Sequence, residues 1–201
     1  MPKIFLVIPQ ALLLSHGATF KKYKKDQFIF TEGDYPFFCY EVAEGSVRMV
    51  NIYSEGKEFI QGIFKKGESF GEPVIDKPYP STAIANESSL LIRISKKDFI
   101  HNLRGSPDIH LSFTCLFALR LFDTALVLKE MAGKNTEHRI LTMLQILKKN
   151  SGSSENKKYK VEQSRQMIAA MTGLRVETVI RTIKKLESKG VIKVFKGKVF
   201  V

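Results

Sequence analysis

The stretch from Ser164 to Arg181 constrains the fold more than any other part of this chain. Ser164-Arg165-Gln166-Met167-Ile168-Ala169-Ala170-Met171-Thr172 reads as a short helix that its serine can cap, and Gly173 follows where the chain must leave it. Leu174-Arg175-Val176-Glu177-Thr178-Val179-Ile180-Arg181 then opens a second helix. Two short helices about a glycine turn make a helix-turn-helix. Ile168, Ala169 and Thr172 fall toward the partner helix, and Ala169 is small where two steeply crossing helices approach most closely. Gly173 is expected at positive φ, which glycine adopts at little steric cost.

On the second helix, Leu174, Val179, Ile183 and Leu186 supply the buried side. Arg175, Val176, Glu177, Thr178 and Arg181 are left facing outward, where a recognition helix presents its side chains to a major groove. Arg175, Val176, Glu177 and Arg181 are the candidate base contacts. The guanidinium of Arg181 suits a bidentate pair with guanine O6 and N7, and the Glu177 carboxylate suits cytosine N4. Ser164, Arg165, Gln166 and Thr178 suit phosphate oxygens, which position a module without reading sequence. The same spacing of Glu177 and Arg181 also allows an i,i+4 surface ion pair worth about 0.2–0.5 kcal/mol. Beyond Gly190 the chain alternates apolar and basic residues around Gly197, as in a two-stranded wing. Lys193, Lys196 and Lys198 there are phosphate contacts or solubilising charges.

Charge is distributed in the same sense. Residues 1–132 hold 16 Lys+Arg against 15 Asp+Glu, whereas residues 133–201 hold 16 against 5. Nearly all of the net +12 therefore sits with the helix-turn-helix, the electrostatic footprint of a surface that lies on phosphates. Double-stranded DNA is the expected partner.

The remainder divides into two further parts. Between Ala18 and Ile100, glycine turns at Gly33, Gly45, Gly56 and Gly67 separate β-rich runs, including residues 27–30, 47–53, 59–64 and 90–94. Such spacing predicts a small antiparallel barrel. Ser106-Pro107-Asp108 then offers a cap and a first-turn proline for a long helix to Ala132. Its apolar residues, Leu111, Phe113, Leu116, Leu119, Phe122 and Leu126 among them, keep to no single stripe, so the helix needs cover on more than one side. Its own barrel and a second subunit would provide that in a homodimer; a monomer's core helix has the same periodicity. Gly133-Lys134-Asn135 reads as a hinge, Thr136 as a cap for a helix carrying Ile140, Leu141, Leu144 and Leu147, and residues 150–156 as a Ser/Gly-rich loop. The expected class is α+β, with an N-terminal antiparallel β-roll (1–105), a long dimerisation helix (106–132) and a C-terminal winged helix-turn-helix (133–201).

Residues 1–14 are largely apolar, but Pro9 interrupts them, Lys3 is the one positive charge at their start and no small-x-small site follows Leu14, so they do not read as a secretion leader. No run is expected to reach the ~18 apolar residues of a bilayer span. Two cysteines, Cys39 and Cys115, imply a reducing, cytoplasmic compartment and no disulfide framework. They are too few for an iron–sulfur cluster, and His16, His101, His110 and His138 form no telling metal or haem arrangement. No metal or cofactor is expected. Neither is an enzyme, since no histidine–carboxylate cluster, nucleophile elbow or Walker loop occurs.

Arg165-Gln166-x-Ile168-Ala169 through Gly173 to Glu177-Thr178-Val179-x-x-Arg181, with Leu186-x-x-x-Gly190, resembles the Crp/Fnr family of bacterial transcription regulators. Glu44-Gly45-Ser46-Val47 and Lys66-Gly67-Glu68-Ser69-Phe70-Gly71-Glu72 resemble that family's cyclic-nucleotide-binding fold. The resemblance implies binding as a dimer to an operator with two-fold symmetry, with RNA polymerase as a further partner. It places an effector pocket at Gly71, Glu72, Ser81 and Thr82, with Thr124 on the long helix. Cyclic-AMP receptors of the family hold the cyclic phosphate with an arginine before that serine. Pro80 stands there instead and brings neither charge nor an N–H donor. The effector is therefore left unidentified. The competing reading is a cyclic-nucleotide-responsive module that regulates a partner protein.

Overall fold

The computed structural model describes residues 17–53, 57–132, 135–151 and 158–201. The apolar segment 1–14, His16, the turn at Gly56, the hinge residues Gly133 and Lys134 and most of the loop to Asn156 lie outside the described residues. The chain divides into two units, Met1–Phe122 and Asp123–Val201.

The first unit is a β-roll of two four-stranded antiparallel sheets. In chain order its strands are β1 (Thr19–Tyr23), β2 (Phe28–Phe30), β3 (Phe38–Glu44), β4 (Ser46–Ile52), β5 (Glu58–Lys65), β6 (Ser69–Phe70), β7 (Thr82–Ala85) and β8 (Ser89–Ser95). They are ordered β1-β8-β3-β6 and β2-β7-β4-β5. Gly45, at φ 83°, makes the turn from β3 to β4 pressed against β8: a Cβ there would lie 2.3 Å from Ser89 Oγ and 2.8 Å from the Ser88 carbonyl. Only glycine fits both the backbone angle and the space. Alternate residues of the strands meet inside the roll, where Tyr23, Phe30, Tyr40, Val42, Val47, Phe70 and Leu91 form a largely aromatic core.

A second core lies between the sheet carrying β3 and β8 and two helices, α1 (Lys96–Gly105) and α2 (Pro107–Ala132). Sequence spacing alone does not set α1 apart from the long helix after it, yet its start is well marked. Ser95 Oγ accepts from Asp98 N at 3.1 Å, capping the helix, and donates to Asp98 Oδ2 at 2.6 Å. Phe99 of α1 meets Phe113 of α2 edge to face, ring centroids 5.0 Å apart, over Cys39, Ala43, Ile92 and Ile94. Burying each ring contributes about 1.5–3 kcal/mol, which fixes α1 and the first turns of α2 on the roll. Farther along α2 the apolar side chains lose this cover. Leu121 is 72% exposed, and Phe122, Leu119 and Leu128 are exposed with it.

The long helix α2 departs from the expectation that no run reaches the length of a bilayer span. Residues Pro107–Lys129 are long and apolar enough to cross a bilayer by length and composition, with mean hydropathy 1.7. The interspersed Arg120 and small residues break the apolar run in the sequence without lowering its average below that of a span. The helix is nonetheless tied to protein as far as Arg120, through Phe113 and through an ion pair of Arg120.

The second unit contains α3 (Thr136–Asn150), α4 (Arg165–Thr172), α5 (Val176–Ser188) and the hairpin β9 (Lys193–Phe195) with β10 (Lys198–Phe200). The cap of α3 is Asn135, whose side chain accepts from His138 N, and Thr136 becomes the first helical residue instead of the cap. Both residue types cap well, and asparagine caps at least as strongly as threonine. Ile140, Met143, Leu144 and Leu147 of α3 are buried, as are Ile168 and Ala169 of α4 and Val179, Ile183 and Leu186 of α5. Leu141, expected in the core, is half-buried. Glu137, in the first turn of α3, pairs with Lys185 at 2.5 Å and Lys189 at 2.6 Å near the end of α5, so opposite helix ends meet opposite charges.

Candidate nucleic-acid interface and effector pocket

Local sequence builds the turn between α4 and α5. Ser164 Oγ accepts from Met167 N at 3.1 Å to start α4, and Gly173 ends it at φ 64°, ψ 23°. The Gly173 N–H returns to the Ala169 carbonyl, as does Leu174 N at 3.1 Å. Thr172, 1% exposed, donates its hydroxyl to Ile168 O at 2.7 Å, and Arg139 of α3 donates to Thr172 O at 2.5 Å. The turn is thus held from inside by α3, and the outer side of the pair stays open.

α5 presents what this turn frees. Arg175 occupies its cap position with extended backbone and makes no side-chain cap hydrogen bond, so the first-turn N–H groups lack a capping side chain. Arg175, Glu177 and Arg181 are exposed, Val176 and Thr178 are half-buried, and Val179, Thr182, Ile183 and Leu186 fill the opposite side. Among the described residues no ion pair joins Glu177 to Arg181, so the i,i+4 bridge that their spacing allows is not made. A carboxylate and two guanidinium groups are therefore exposed along the start of α5, with no ion pair to any of them among the described residues. Ile180, on the same helix, is 41% exposed.

The candidate phosphate contacts are less uniform. Ser164 and Gln166 are exposed, although the Ser164 hydroxyl already caps α4. Thr178 is half-buried. Arg165 is half-buried too, and donates from Nη2 to the Gly197 carbonyl at 3.2 Å. Burial lowers its guanidinium from the usual arginine value, with the Glu187 carboxylate acting in the opposite direction. Arg165 braces the wing tip. Its sequence signal is that of a phosphate contact, because local spacing does not show a partner 32 residues away.

The pocket residues of the roll are bound up differently. Glu72, with a side chain 13% exposed, pairs with Arg120 of α2 at 2.5 Å and accepts from Ser69 Oγ at 3.2 Å. Arg120 also donates to the Ser69 carbonyl and lies 5.4 Å from the Phe64 ring centroid. Gly71, at φ 67°, is buried among rings: an added Cβ would meet Phe30 and Tyr40 at 3.0 Å and the Tyr79 hydroxyl at 3.3 Å. Tyr79 stacks on Phe30 at 3.8 Å, and its hydroxyl lies 3.0 Å from the Gly71 carbonyl and 3.3 Å from that of Phe38. Burial, reinforced by Tyr40, pushes the Tyr79 hydroxyl far above its usual value and keeps it a donor. Ser81 and Thr82 are buried, with Thr82 Oγ1 accepting from Glu32 N at 2.9 Å. Pro80 is exposed, and its carbonyl accepts from Asn51 Nδ2 at 2.7 Å. Thr124 is exposed on α2 and belongs to the second unit.

Arg120 and Tyr79 were not among the pocket residues expected from sequence. Arg120 had a signal, as a lone arginine amid apolar helix residues. Tyr79 had none, because its stacking partner Phe30 belongs to a distant strand.

A roll of this topology followed by a winged helix-turn-helix defines a class, the DNA-binding regulators built on a nucleotide-binding type of roll. Residues 20–104 match the family described as cyclic nucleotide-binding domain, and residues 138–201 match the Crp-like helix-turn-helix domain. The chain belongs to the Crp/Fnr family of transcription regulators. It is 28% identical over 182 residues to the cyclic AMP receptor protein of Thermus thermophilus, covering 89% of this chain and 82% of that protein. It is also 28% identical over 175 residues to the cAMP-activated global transcriptional regulator CRP of Haemophilus influenzae, covering 85% and 78%. FixK2 from Bradyrhizobium japonicum has the same fold, with a TM-score of 0.78 at 21% identity over 92% of this chain and 91% of that one.

Proposed function

We propose that this regulator works in the cytoplasm as a homodimer and reads a DNA operator with two-fold symmetry through α5, without catalysing a reaction. The observation that carries the reading is the exposed, mutually unpaired set Arg175, Glu177 and Arg181, backed by buried Val179, Ile183 and Leu186. Arg181 pairs with guanine and Glu177 with cytosine, Arg175 and Val176 touch neighbouring bases, and Ser164, Arg165, Gln166 and Thr178 lie along phosphates. The exposed leucines of α2 support pairing with the same helix of a second copy, which would bury Leu121, Phe122 and Leu128. The three domains are then residues 1–105, 106–132 and 133–201, and the DNA-bound dimer is the form that meets RNA polymerase.

The roll is proposed to have lost the usual cyclic-phosphate site. Gly71, Glu72, Ser81 and Thr82, with Thr124 of the long helix, are the residue types the family uses, but Pro80 supplies no cation, and Arg120 is already engaged with Glu72. The effector, if the roll takes one, is not a cyclic nucleotide held in that mode.

Selection from a random duplex pool, followed by binding measurements at two salt concentrations, tests the DNA reading. Recovered sequences should be palindromic and should bind more weakly at high salt. Arg181→Ala should cost about 1–3 kcal/mol and relax preference at one symmetric base pair. Unchanged preference in that variant would remove Arg181 from base recognition.

A further inference from the structure

The wing carries a feature that the recognition helix does not account for. Phe195 is 64% exposed at the end of β9, one residue before the turn. It pairs across the hairpin with Lys198, while Val194 pairs with buried Val199. The inner face therefore anchors the hairpin, and Phe195 shares the outer face with Lys193 and Lys198. Lys196 follows directly, with its ammonium 5.6 Å from the Phe195 ring centroid. Lys196 and Gly197 both have positive φ, 46° and 75°. That is the signature of a tight two-residue hairpin turn, and lysine takes its first position only with strain.

This tip is rigidly keyed to both helices of the reading unit. Arg165, the first residue of α4, holds the Gly197 carbonyl. Glu187 of α5 accepts from Val194 N at 3.1 Å, and the backbone of Tyr159 and Val161 pairs with that of Val201 and Val199. An aromatic ring held out into water at a braced tip, ringed by three lysines, repels a second copy of itself and attracts an anionic partner with apolar surface between its charges.

We infer that Phe195 is an apolar wedge that enters the DNA minor groove beside each half-site, with Lys193, Lys196 and Lys198 on the phosphates of its two rims. A minor groove about 6 Å wide admits one ring edge but not a two-stranded ribbon, so only the tip residue penetrates. Wedges of this chemistry part a base step and bend the duplex toward the major groove. The wing then contributes bending and flanking-step preference, while α5 reads the half-site.

The inference rests on the DNA reading proposed above, and the test separates the two. The probe is a duplex selected by the wild-type chain, carrying 2-aminopurine singly at each flanking step and a fluorophore pair at its ends. Wild type should brighten 2-aminopurine at one symmetric flanking step and shorten the end-to-end distance. Phe195→Ala should abolish both signals and weaken binding about tenfold, while Phe195→Leu keeps part of each and both variants retain the half-site preference. Arg181→Ala should change that preference and keep the 2-aminopurine signal. Unaltered signals and affinity in Phe195→Ala would overturn the wedge alone. A chain that selects no duplex would overturn the reading beneath it. Phosphatidylglycerol vesicles that bind wild type but not Phe195→Ala, with DNA binding untouched, would assign the tip to a membrane surface and overturn the wedge.

Discussion

The candidate reading face of α5 and the candidate pocket residues of the roll lie in stretches that match two domains of the same family, yet they differ in what the polar groups are doing. On α5, Arg175, Glu177 and Arg181 stand exposed, with no ion pair between Glu177 and Arg181. In the roll, Glu72 is already held by Arg120 and Ser69, and the Gly71 carbonyl by Tyr79. Hydrogen-bonding groups left without partners can lower the free energy of a complex, whereas groups already satisfied must first be released. A shared fold therefore transfers a scaffold. Competence for a ligand depends on which groups that scaffold leaves unsatisfied.

The comparison breaks most severely if the reading unit is loosened from within. Ile168 is fully buried where α4 meets α5, and Ile168→Ala should cost about 2–5 kcal/mol, by lost burial and a residual cavity. Urea unfolding followed by circular dichroism should show the loss in the helical second unit, with DNA binding lost beside it. Equal stability would mean that the buried face of α4 does not hold α5 in place.

From the other side, Arg120→Leu removes the partner of Glu72 while preserving an apolar helix position. Charge-assisted hydrogen bonds contribute about 1.5–3 kcal/mol each, and the one-third exposure of Arg120 places the expected loss toward the lower end. Thermal unfolding of the roll checks this, and DNA affinity of the surviving folded protein should change little. A sharp change in DNA affinity would show that the latch between α2 and the pocket controls the reading face.

A smaller effect concerns how α5 is held to α3. Hydrogen bonds from Lys185, then from Lys189, hold the Glu137 carboxyl below the usual carboxylate range. A carboxyl lowered in the folded state contributes stability above its unfolded value, and that contribution is lost as pH falls through the folded value. Glu137→Gln should therefore destabilise slightly at pH 7 and become indistinguishable from wild type in strong acid. Urea melts at the two pH values measure it, and a difference that grows on acidification would reverse the sign.

Legibility in the sequence divides along the same line. Ser164, Gly173 and the buried positions Val179, Ile183 and Leu186 are local devices that sit in the structure where spacing places them, whereas Leu174, expected inside, and Val176 and Thr178, expected outside, are all half-buried. The roll's strands were legible in outline from glycine turns, whereas α1 was not, because its Ser95 cap follows a strand without a break. Asn135 and Thr136 were interchangeable as caps to a propensity argument, and backbone geometry chose between them. The state of the candidate pocket residues was illegible. It depends on Arg120 reaching Glu72 and on Tyr79 reaching Phe30 and Gly71, pairings between distant segments that leave no periodic trace. The wing's alternation was visible, but the brace from Arg165 to Gly197 was not.

The difference between a satisfied pocket and an open reading face is tested most directly by fluorescence anisotropy of the full chain, stripped of small molecules, on its selected duplex with and without saturating cyclic AMP. The account predicts sequence-specific, salt-sensitive binding whose affinity is the same in both conditions. Specific binding that appears only when the nucleotide is added would contradict it.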